Sequence, residues 1–483
     1  MQTPSLTKNA ILNSVKTISA LLFPLITFPY ASRVLGVANL GKVNYSSSIV
    51  SYFALIAALG LSNYAIREGA RIRDDKERLS RFACRIFTVN LVTCLIAYLL
   101  LLITVLLWRG VHSYALLIAI QSISMVSTAL GVEWLYSIFE DYLYISLRSI
   151  SVQFLSLLLL FSFVHKPSDY VIYAGISVFA SSAVNLWGFI HAHTYCDIKP
   201  VRNIPWRSIL GPSFALFSNN VAIAIYGNAG TTLVGIFAGD IQVGLYSVAM
   251  KIYNMTRQVI NSLTIVALPR LSYLLGTENH ARYYALLNRV IDSVIVASVP
   301  ITGFLFVLSR PVILLLAGEQ YIDSVLLLRI VCVAILLSLP SALITGGVLI
   351  PFRQEKTVVI STVSGAVVNI AIDVLGIPLA GAQVAAISIV ISELVVFLLC
   401  VVFARQQMKH VHCGRAIFHA LIGIVPMLVL SVVLYKWLQD MRYWWCILLF
   451  VVISSVAYGA ILLLFKDSTA VFYAEKAKRR FGR

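Results

Sequence analysis

The sequence predicts an all-α integral membrane protein with about 14 transmembrane helices. Apolar stretches follow one another from Asn9 to Phe465 and are separated by short polar connections. Hydrophobic residues make up 60% of the 483 residues and charged residues only 12%, with a mean hydropathy of +0.90. A soluble fold of this size cannot bury so much apolar surface. A bilayer core about 30 Å thick needs about 20 apolar residues per helix. The stretches have that length, which excludes the shorter strands of a barrel.

Each apolar stretch gives one expected helix, with ends defined to within about 3 residues. The expected helices lie near 10–32, 43–66, 84–108, 113–136, 148–165, 170–190, 209–228, 244–268, 286–309, 324–346, 358–379, 382–404, 418–436 and 443–465. The connections that remain are too short to hold a folded soluble domain.

The distribution of lysine and arginine predicts that both termini are cytoplasmic. With the ends inside, the inner connections and tails carry 26 of these residues, Arg148 among them, and the outer connections carry seven. Short cytoplasmic connections are enriched in lysine and arginine. This topology also accounts for the net charge of +17, so nucleic-acid binding is not expected. The basic tail from Lys476 to Arg480 is expected to contact anionic membrane lipids.

No residue spacing indicates a metal site, a cofactor or a catalytic centre. The seven cysteines form no CxxC pair, the eight histidines form no HExxH pair, and no Walker or GxSxG pattern occurs in its required context. We therefore expect no metal, no cofactor, no disulfide and no removable signal peptide. The short outer connections also argue against an enzyme.

A repeated glycine turn indicates two related halves. After the first expected helix, Gly36 is followed by Gly41, and after the seventh, Gly239 is followed by Gly244 with the same spacing. Six helices separate the copies, so the halves would share one orientation about an axis along the membrane normal. We expect two six-helix lobes around a central cavity, at 1–208 and 209–404, and a C-terminal helix pair with a basic tail at 405–483. Glycines that merely mark tight helix connections would give the same turn.

Polar residues inside the expected helices form stripes. On the eighth helix, at 100 degrees per residue, the stripe falls within an arc of about 120 degrees and consists of Lys251, Asn254, Arg257, Gln258 and Asn261. Shorter stripes comprise Asn44, Ser48 and Ser51 on the second helix, and Thr362, Asn369 and Asp373 on the eleventh. These faces are expected to be wet, although small polar residues also join helices to one another.

Four cations fall inside expected helices, namely Lys16, Lys251, Arg257 and Arg329. Charges at membrane depth normally face a bundle interior or a water-filled cavity. Their plausible counter-ions are Asp292, Asp373 and Glu393, which are also candidates for coupling transport to an ion. Positive charge lining a cavity favours an anionic cargo, and arginine geometry favours phosphate or carboxylate. Arg33, at the outer mouth of the first helix, would extend such a path or act as an interfacial anchor.

Several motifs resemble one family of transporters. They are Phe28-Pro29-Tyr30-x2-Arg33-x-Leu35-Gly36-x4-Gly41, Tyr64-x2-Arg67-Glu68-Gly69-Ala70-x2-Arg73, Glu133-Trp134, Tyr246-Ser247-x-Ala249-x-Lys251-Ile252-Tyr253 and Pro269-Arg270-Leu271-Ser272. Together they resemble Wzx-type polysaccharide flippases of the multidrug/oligosaccharidyl-lipid/polysaccharide exporter superfamily. The likeness covers both expected lobes in register.

The resemblance implies a fold, a cargo and a location. The fold would have two six-helix lobes around a V-shaped cationic cavity, to which Lys251 would contribute. The cargo would be an O-antigen or similar repeat unit, linked through diphosphate to undecaprenol and moved by alternating access across the bacterial inner membrane. Partners would be this lipid-linked oligosaccharide, membrane lipids, and a polysaccharide polymerase with its chain-length regulator.

Three other functions stay open at the level of sequence. A multidrug or cation antiporter of the same fold usually carries an acidic residue in its first lobe, but residues 1–67 contain no Asp or Glu. A lipid II flippase handles a similarly charged cargo, and only the motifs distinguish it. An O-antigen polymerase would share the substrate but would need a sizeable outer loop for its catalytic residues.

Overall fold

The computed structural model describes residues 6–277, 279–437, 443–465 and 471, which belong to two compact units, Met1–Gly244 and Leu245–Arg483. All regular secondary-structure elements among the described residues are helices. The helices of the first unit are α1 (Leu6–Ala58), α2 (Leu61–Ala70), α3 (Lys76–Leu107), α4 (Ala115–Ala129), α5 (Glu133–Ile138), α6 (Tyr142–Phe163) and α7 (Tyr170–Ala192). Helix α8 (Trp206–Gly276) begins in the first unit and ends in the second.

The second unit continues with shorter helices. They are α9 (His280–Val307), α10 (Ser309–Leu316), α11 (Ser324–Val333), α12 (Ile335–Ile344), α13 (Glu355–Ala380), α14 (Ala382–Phe403), α15 (Arg405–Met408), α16 (Gly414–Trp437) and α17 (Tyr443–Leu464). The described part of the chain contains 11 helical segments long and apolar enough to cross a bilayer. The predicted all-α membrane class is thus confirmed, whereas the predicted count of 14, the two lobes and their boundaries stay predictions.

The repeated glycine turn is confirmed. Both α1 and α8 are interrupted at its first glycine, and the two interruptions have the same backbone geometry: φ 75° and ψ 172° at Gly36, φ 79° and ψ 179° at Gly239. Only glycine adopts this combination readily, because any Cβ would clash with the backbone. The local sequence therefore sets the same bend at two places 203 residues apart.

The start of α3 lies earlier than predicted. The helix begins at Lys76 rather than near residue 84, because the Asp75 side chain accepts a hydrogen bond of 3.0 Å from the backbone N–H of Arg78. Such a cap satisfies one of the free N–H groups at a helix start. Helix α3 thus begins with charged turns that precede its apolar stretch.

Three predicted helices are broken in the structure. The stretch 43–66 is interrupted at Leu59 and Gly60, between α1 and α2. The stretch 113–136 contains α4 and α5, which are separated at Gly131, and the stretch 324–346 contains α11 and α12, which are followed by a π-helical turn over Thr345–Leu349. Pro340 lies inside α12. Proline removes a helical hydrogen bond, and glycine is a weak helix former. Hydropathy alone does not detect such breaks.

A segment after α7 lies along α3 and is bound to it by a regular ladder. The backbone N–H groups of Asp197, Lys199 and Val201 donate to the side chains of Ser80, Cys84 and Thr88, respectively, at 3.3, 3.3 and 2.9 Å. The acceptors on α3 are four residues apart, which is a rise of about 6 Å in a helix, and the donors are two residues apart, which is about 6.6 Å in an extended chain. Donors and acceptors therefore stay in register. We call residues 196–201 the strap. It fixes the connection between α7 and α8 to the first unit.

Candidate functional site

The second half of α8 exposes the predicted polar face. Lys251, Asn254 and Gln258 are all exposed, whereas Tyr253 and Ile260 on the same helix are buried. The three polar residues are spaced three and four apart and therefore share one side of the helix. An amine and two amides thus form an accessible polar surface on a membrane-length helix.

Arg257 joins this face to a carboxylate. Its guanidinium Nη1 lies 3.8 Å from Oε1 of Glu393 on α14, and the Glu393 side chain is only 7% exposed. Glu393 is one of the three predicted counter-ions, and Arg257 is the cation with which it pairs. Asn261, one turn further along α8, is half-buried. The positive charge of Arg257 is therefore partly neutralised, so Lys251 is the main candidate for contact with an anion.

Arg329 occupies a different environment. Its Nε donates a hydrogen bond of 2.9 Å to Oγ of Ser309, and its guanidinium lies 5.7 Å from the centre of the Phe306 ring. Both partners lie at the junction of α9 and α10, and Arg329 itself is in the second turn of α11. The residue therefore contributes to packing at one end of these helices.

Lys16 forms an ion pair that the sequence prediction did not include. Its ammonium group contacts Oε1 of Glu133, at the start of α5, and the two side chains are 30% and 45% exposed. The predicted counter-ions Asp292, Asp373 and Glu393 were thus wrong for Lys16. Glu133 is the acidic residue of the quoted Glu133-Trp134 motif, and this location in a motif was the signal that could have identified it.

The remaining predicted charges lie on two other helices. Arg33 is exposed on α1, three residues before the Gly36 bend, and Asp292 is half-buried on α9. Neither placement by itself assigns a role to the residue.

A buried polar cluster joins α13 and α14. Ser388 Oγ donates to Oδ1 of Asp373 at 2.5 Å, and Asn369 Nδ2 donates to Ser388 Oγ at 2.9 Å. Asp373 is fully buried and Asn369 is 1% exposed. Oδ2 of Asp373 and Oδ1 of Asn369 accept no hydrogen bond, and such buried acceptors are rare in proteins. The predicted wet face at these two residues is therefore wrong. They form an enclosed group in which two oxygen atoms accept no hydrogen bond.

In the stripe of the second predicted helix, Ser48 is buried rather than hydrated, whereas Asn44 and Ser51 are half-buried. Oγ1 of Thr232 on α8 donates to Oγ of Ser48 at 2.9 Å and lies 3.0 Å from the hydroxyl of Tyr52. Ser48 is 4% exposed. Hydroxyl contacts of this kind join membrane helices. Since the partner lies 184 residues away in the chain, the stripe alone could not show which way it faces.

Arg148 is a buried cation that the sequence reasoning placed in a connection. It lies inside α6 and is 3% exposed. Its guanidinium lies 5.2 Å from the ring centre of Tyr136 and 5.4 Å from that of Tyr144, within the range of cation–π attraction. Gly188 on α7 makes the room, because a Cβ there would overlap the guanidinium. The sequence signal that could have placed it is Asp141, which caps α6.

Comparison with solved structures identifies the fold of this chain. The structure of a lipid II flippase MurJ in an inward closed conformation superposes with a TM-score of 0.76 at 14% identity, covering 95% of this chain and 99% of that one. An inward-facing multidrug resistance MATE transporter of the MOP superfamily gives a TM-score of 0.63 at 16% identity, covering 83% and 98%. The fold is therefore that of the multidrug/oligosaccharidyl-lipid/polysaccharide exporters.

A family profile gives the narrower assignment. The profile described as polysaccharide biosynthesis protein matches residues 6–275, and one described as lipid II flippase MurJ matches residues 223–455. The chain belongs to the polysaccharide biosynthesis protein family, as a Wzx-type member of the exporter superfamily, which confirms the resemblance found in the sequence.

Two relatives are named "Putative O-antigen transporter". The one from Escherichia coli (strain K12) is 26% identical over 276 residues, which cover 56% of this chain and 65% of the relative. The one from Shigella dysenteriae is 23% identical over 362 residues, covering 72% and 87%. The match to the first relative thus spans less than two thirds of that protein's length.

Proposed function

We propose that this protein is a flippase that moves undecaprenyl-diphosphate-linked repeat units of O-antigen, or of a similar polysaccharide, across the bacterial inner membrane. Membership of the polysaccharide biosynthesis family and the names of the relatives support this cargo. The transporter fold supports translocation rather than catalysis.

The exposure of Lys251 is the observation that carries the proposal. Lys251 lies 12 residues beyond the Gly239 bend in the sequence, about 18 Å along the helix and hence about halfway through a bilayer core. A lysine that faces lipid at this depth costs about 2.5–3.5 kcal/mol or more. We therefore infer that Lys251, Asn254 and Gln258 face a water-filled passage, where an ammonium group attracts a diphosphate.

The proposed topology has fourteen crossings and both termini in the cytoplasm. Two of the 11 candidate spans, Leu22–Ala70 and Ile223–Ser262, have 49 and 40 residues, about twice what one crossing needs. Each contains a bend glycine, so each provides two crossings. Helix α16, with 24 residues, supplies the last. Gly36 and Gly239 then lie at the outer face.

The proposed mechanism is alternating access. The passage opens to the cytoplasm, the cationic groups take the sugar diphosphate from water, and the passage then opens outward while the lipid tail stays in the bilayer. Lys251 binds the head group, and Arg257, Asn254, Gln258 and Asn261 provide further polar contacts. Lys16 and Arg33 in the first unit and Arg329 in the second are proposed as further cationic contacts for the head group. No covalent bond changes.

Uphill transport needs an ion gradient, and the cluster around Asp373 is the best-placed group for coupling to one. It offers two acceptor atoms without hydrogen bonds, on Asp373 and Asn369, in an enclosed site. A proton or a small cation would satisfy them. Glu393 is engaged with Arg257, and Asp292 is the remaining carboxyl proposed for this role.

A lipid II flippase is the second candidate, because the MurJ profile matches residues 223–455 and the MurJ structure superposes over nearly the whole chain. Deletion of the gene separates the two. A polysaccharide flippase leaves completed lipid-linked repeat units on the cytoplasmic face and a viable cell wall, whereas a lipid II flippase leaves peptidoglycan precursor there.

The test at the level of residues compares Lys251→Ala with Lys251→Arg in the deletion strain. Loss of surface polysaccharide in the first variant and retention in the second, at equal amounts of protein in the membrane, supports an anion contact. Full export by Lys251→Ala would remove this residue from the site.

A further inference from the structure

The first unit contains a cavity that the cationic site does not use. It has a volume of about 140 Å³ and lies where α1, α4, α7 and α8 come together beside the Gly239 bend. Its polar lining comes from Lys42, Ser113, Tyr114, Tyr170 and Asp240. In the proposed topology these residues lie at the outer face.

Contacts between the lining residues fix the shape of this cavity. The hydroxyl of Tyr114 donates a hydrogen bond of 2.6 Å to Oδ1 of Asp240. The ammonium group of Lys42 lies 5.5 Å from the ring centre of Tyr170, and Tyr45 packs edge-on against Tyr114 at 4.9 Å. Tyr114 and Tyr170 also pack on a small buried core of the first unit. The rings and charged groups are thus held in place, as in a preformed binding site.

The volume of the cavity limits what it can hold. A cavity of about 150 Å³ accommodates one six-membered ring, and drug-sized ligands need about 300 Å³ or more. One ring therefore fits, whereas a disaccharide or a lipid tail does not.

The chemistry of the lining selects among small ligands. A carboxylate accepts several hydrogen bonds and an ammonium group donates three, so Asp240 and Lys42 together suit a neutral ligand with many hydroxyl groups. The face of a tyrosine ring is electronegative and attracts the C–H groups of a pyranose. Asp240 would repel a phosphate, and Lys42 would repel a metal ion.

We propose that this cavity is a subsite for one neutral pyranose ring of the glycan at the outer side of the membrane. The inference deepens the proposed function and rests on it, because a transported repeat unit is the source of such a ring. A sugar bound here would be a glycan contact additional to the diphosphate contact proposed at Lys251.

Protection of an introduced cysteine tests the proposal on the purified full chain. Ser113 lines the cavity and is exposed, whereas its exposed neighbour His112 does not line it. Ser113→Cys and His112→Cys are each treated with a water-soluble thiol reagent, with the unsubstituted protein as background. The probes are a hexose, a 6-deoxyhexose and an N-acetylhexosamine, and inorganic phosphate and sodium chloride serve as comparisons.

The expected result is protection at one position only. For a sugar with a Kd of about 10 mM, a concentration of about 100 mM slows the labelling of Ser113→Cys about tenfold and leaves His112→Cys unchanged. Asp240→Asn and Tyr170→Leu in the Ser113→Cys background each reduce this protection at least about threefold. Equal effects at both cysteines, no protection by any sugar, or protection by phosphate or sodium ions alone would overturn the proposal.

A second measurement keeps this inference apart from the proposed function. Binding of undecaprenyl diphosphate is followed in the wild-type chain and in Lys251→Ala. If Lys251→Ala loses this lipid but no sugar protects Ser113→Cys, only the sugar subsite is wrong. If sugars protect Ser113→Cys while the lipid does not bind, the proposed flippase function is wrong and the subsite stands.

Discussion

Gly41 and Gly244 occupy equivalent positions in two turns that pack against each other reciprocally. A Cβ on Gly41 would overlap the carbonyl oxygen of Asp240, and a Cβ on Gly244 would overlap that of Val37. Gly244 lies 203 residues after Gly41, and Asp240 lies 203 residues after Val37, so the two contacts are equivalent. This is the pattern of a two-fold interface, in which residue i contacts j and j contacts i, here within one chain.

Gly244→Ala is expected to destabilise the protein by about 1–3 kcal/mol, because the added methyl group meets backbone that must move. The matched control is Gly227→Ala on the same helix, where a Cβ has nothing within 4 Å. That change is expected to be neutral or stabilising by up to about 1 kcal/mol. Thermal unfolding in detergent measures both. Equal melting temperatures for the two variants would contradict the close approach of the turns.

Exchanging the charges of Lys16 and Glu133 is expected to impair the protein less than reversing the charge of Glu133 alone. Because both side chains are partly exposed, their coupling is about 0.2–1 kcal/mol. Glu133→Lys should lower stability and transport, and addition of Lys16→Glu should restore both in part. The amount of folded protein and the export of polysaccharide are the readouts. A double variant worse than the sum of the single changes would show that the ion pair is not the relevant contact.

Asp373→Asn is expected to abolish the dependence of transport on an ion gradient while leaving head-group binding unchanged. The control is Thr362→Val on the same helix, because the Thr362 hydroxyl donates a hydrogen bond to the carbonyl oxygen of Val358 within that helix. Translocation by reconstituted protein is compared with and without a sodium or pH gradient. Gradient stimulation that survives in Asp373→Asn would assign the coupling to another group.

Cys196 is expected to resist alkylation in the folded protein. Burial raises the pKa of its thiol to about 12, and the thiolate is the reactive form. At pH 8 the thiolate fraction is then about 1 in 10,000, against about a quarter for an ordinary cysteine, so reactivity rises only as the pH approaches the raised pKa. Cys413, which is half-buried, is the internal comparison. Mass spectrometry of labelled peptides should show modification of Cys413 well before Cys196.

Much of the fold could be predicted because hydropathy depends on composition over about 20 residues. The fourteen apolar stretches and the glycine repeat were local signals, and the repeat proved to have one backbone geometry at Gly36 and Gly239. Helix ends and breaks were harder, because Asp75 and Gly131 act through single hydrogen bonds and backbone preferences that a hydropathy average hides.

The candidate site was predictable only in part. The face formed by Lys251, Asn254 and Gln258 followed from the helical period alone. The partners of Lys16 and Ser48 did not, because Glu133 and Thr232 are 117 and 184 residues distant. Whether a polar stripe contacts water or another helix depends on such distant partners, which no local pattern records.

The strap has a consequence for how this family can vary in length. Its alternate N–H groups meet every fourth side chain of α3, so one inserted or deleted residue between Asp197 and Val201 would turn the later donors away from their acceptors. Relatives that keep a hydrogen-bonding side chain at the positions of Ser80, Cys84 and Thr88 should therefore keep this connection at constant length.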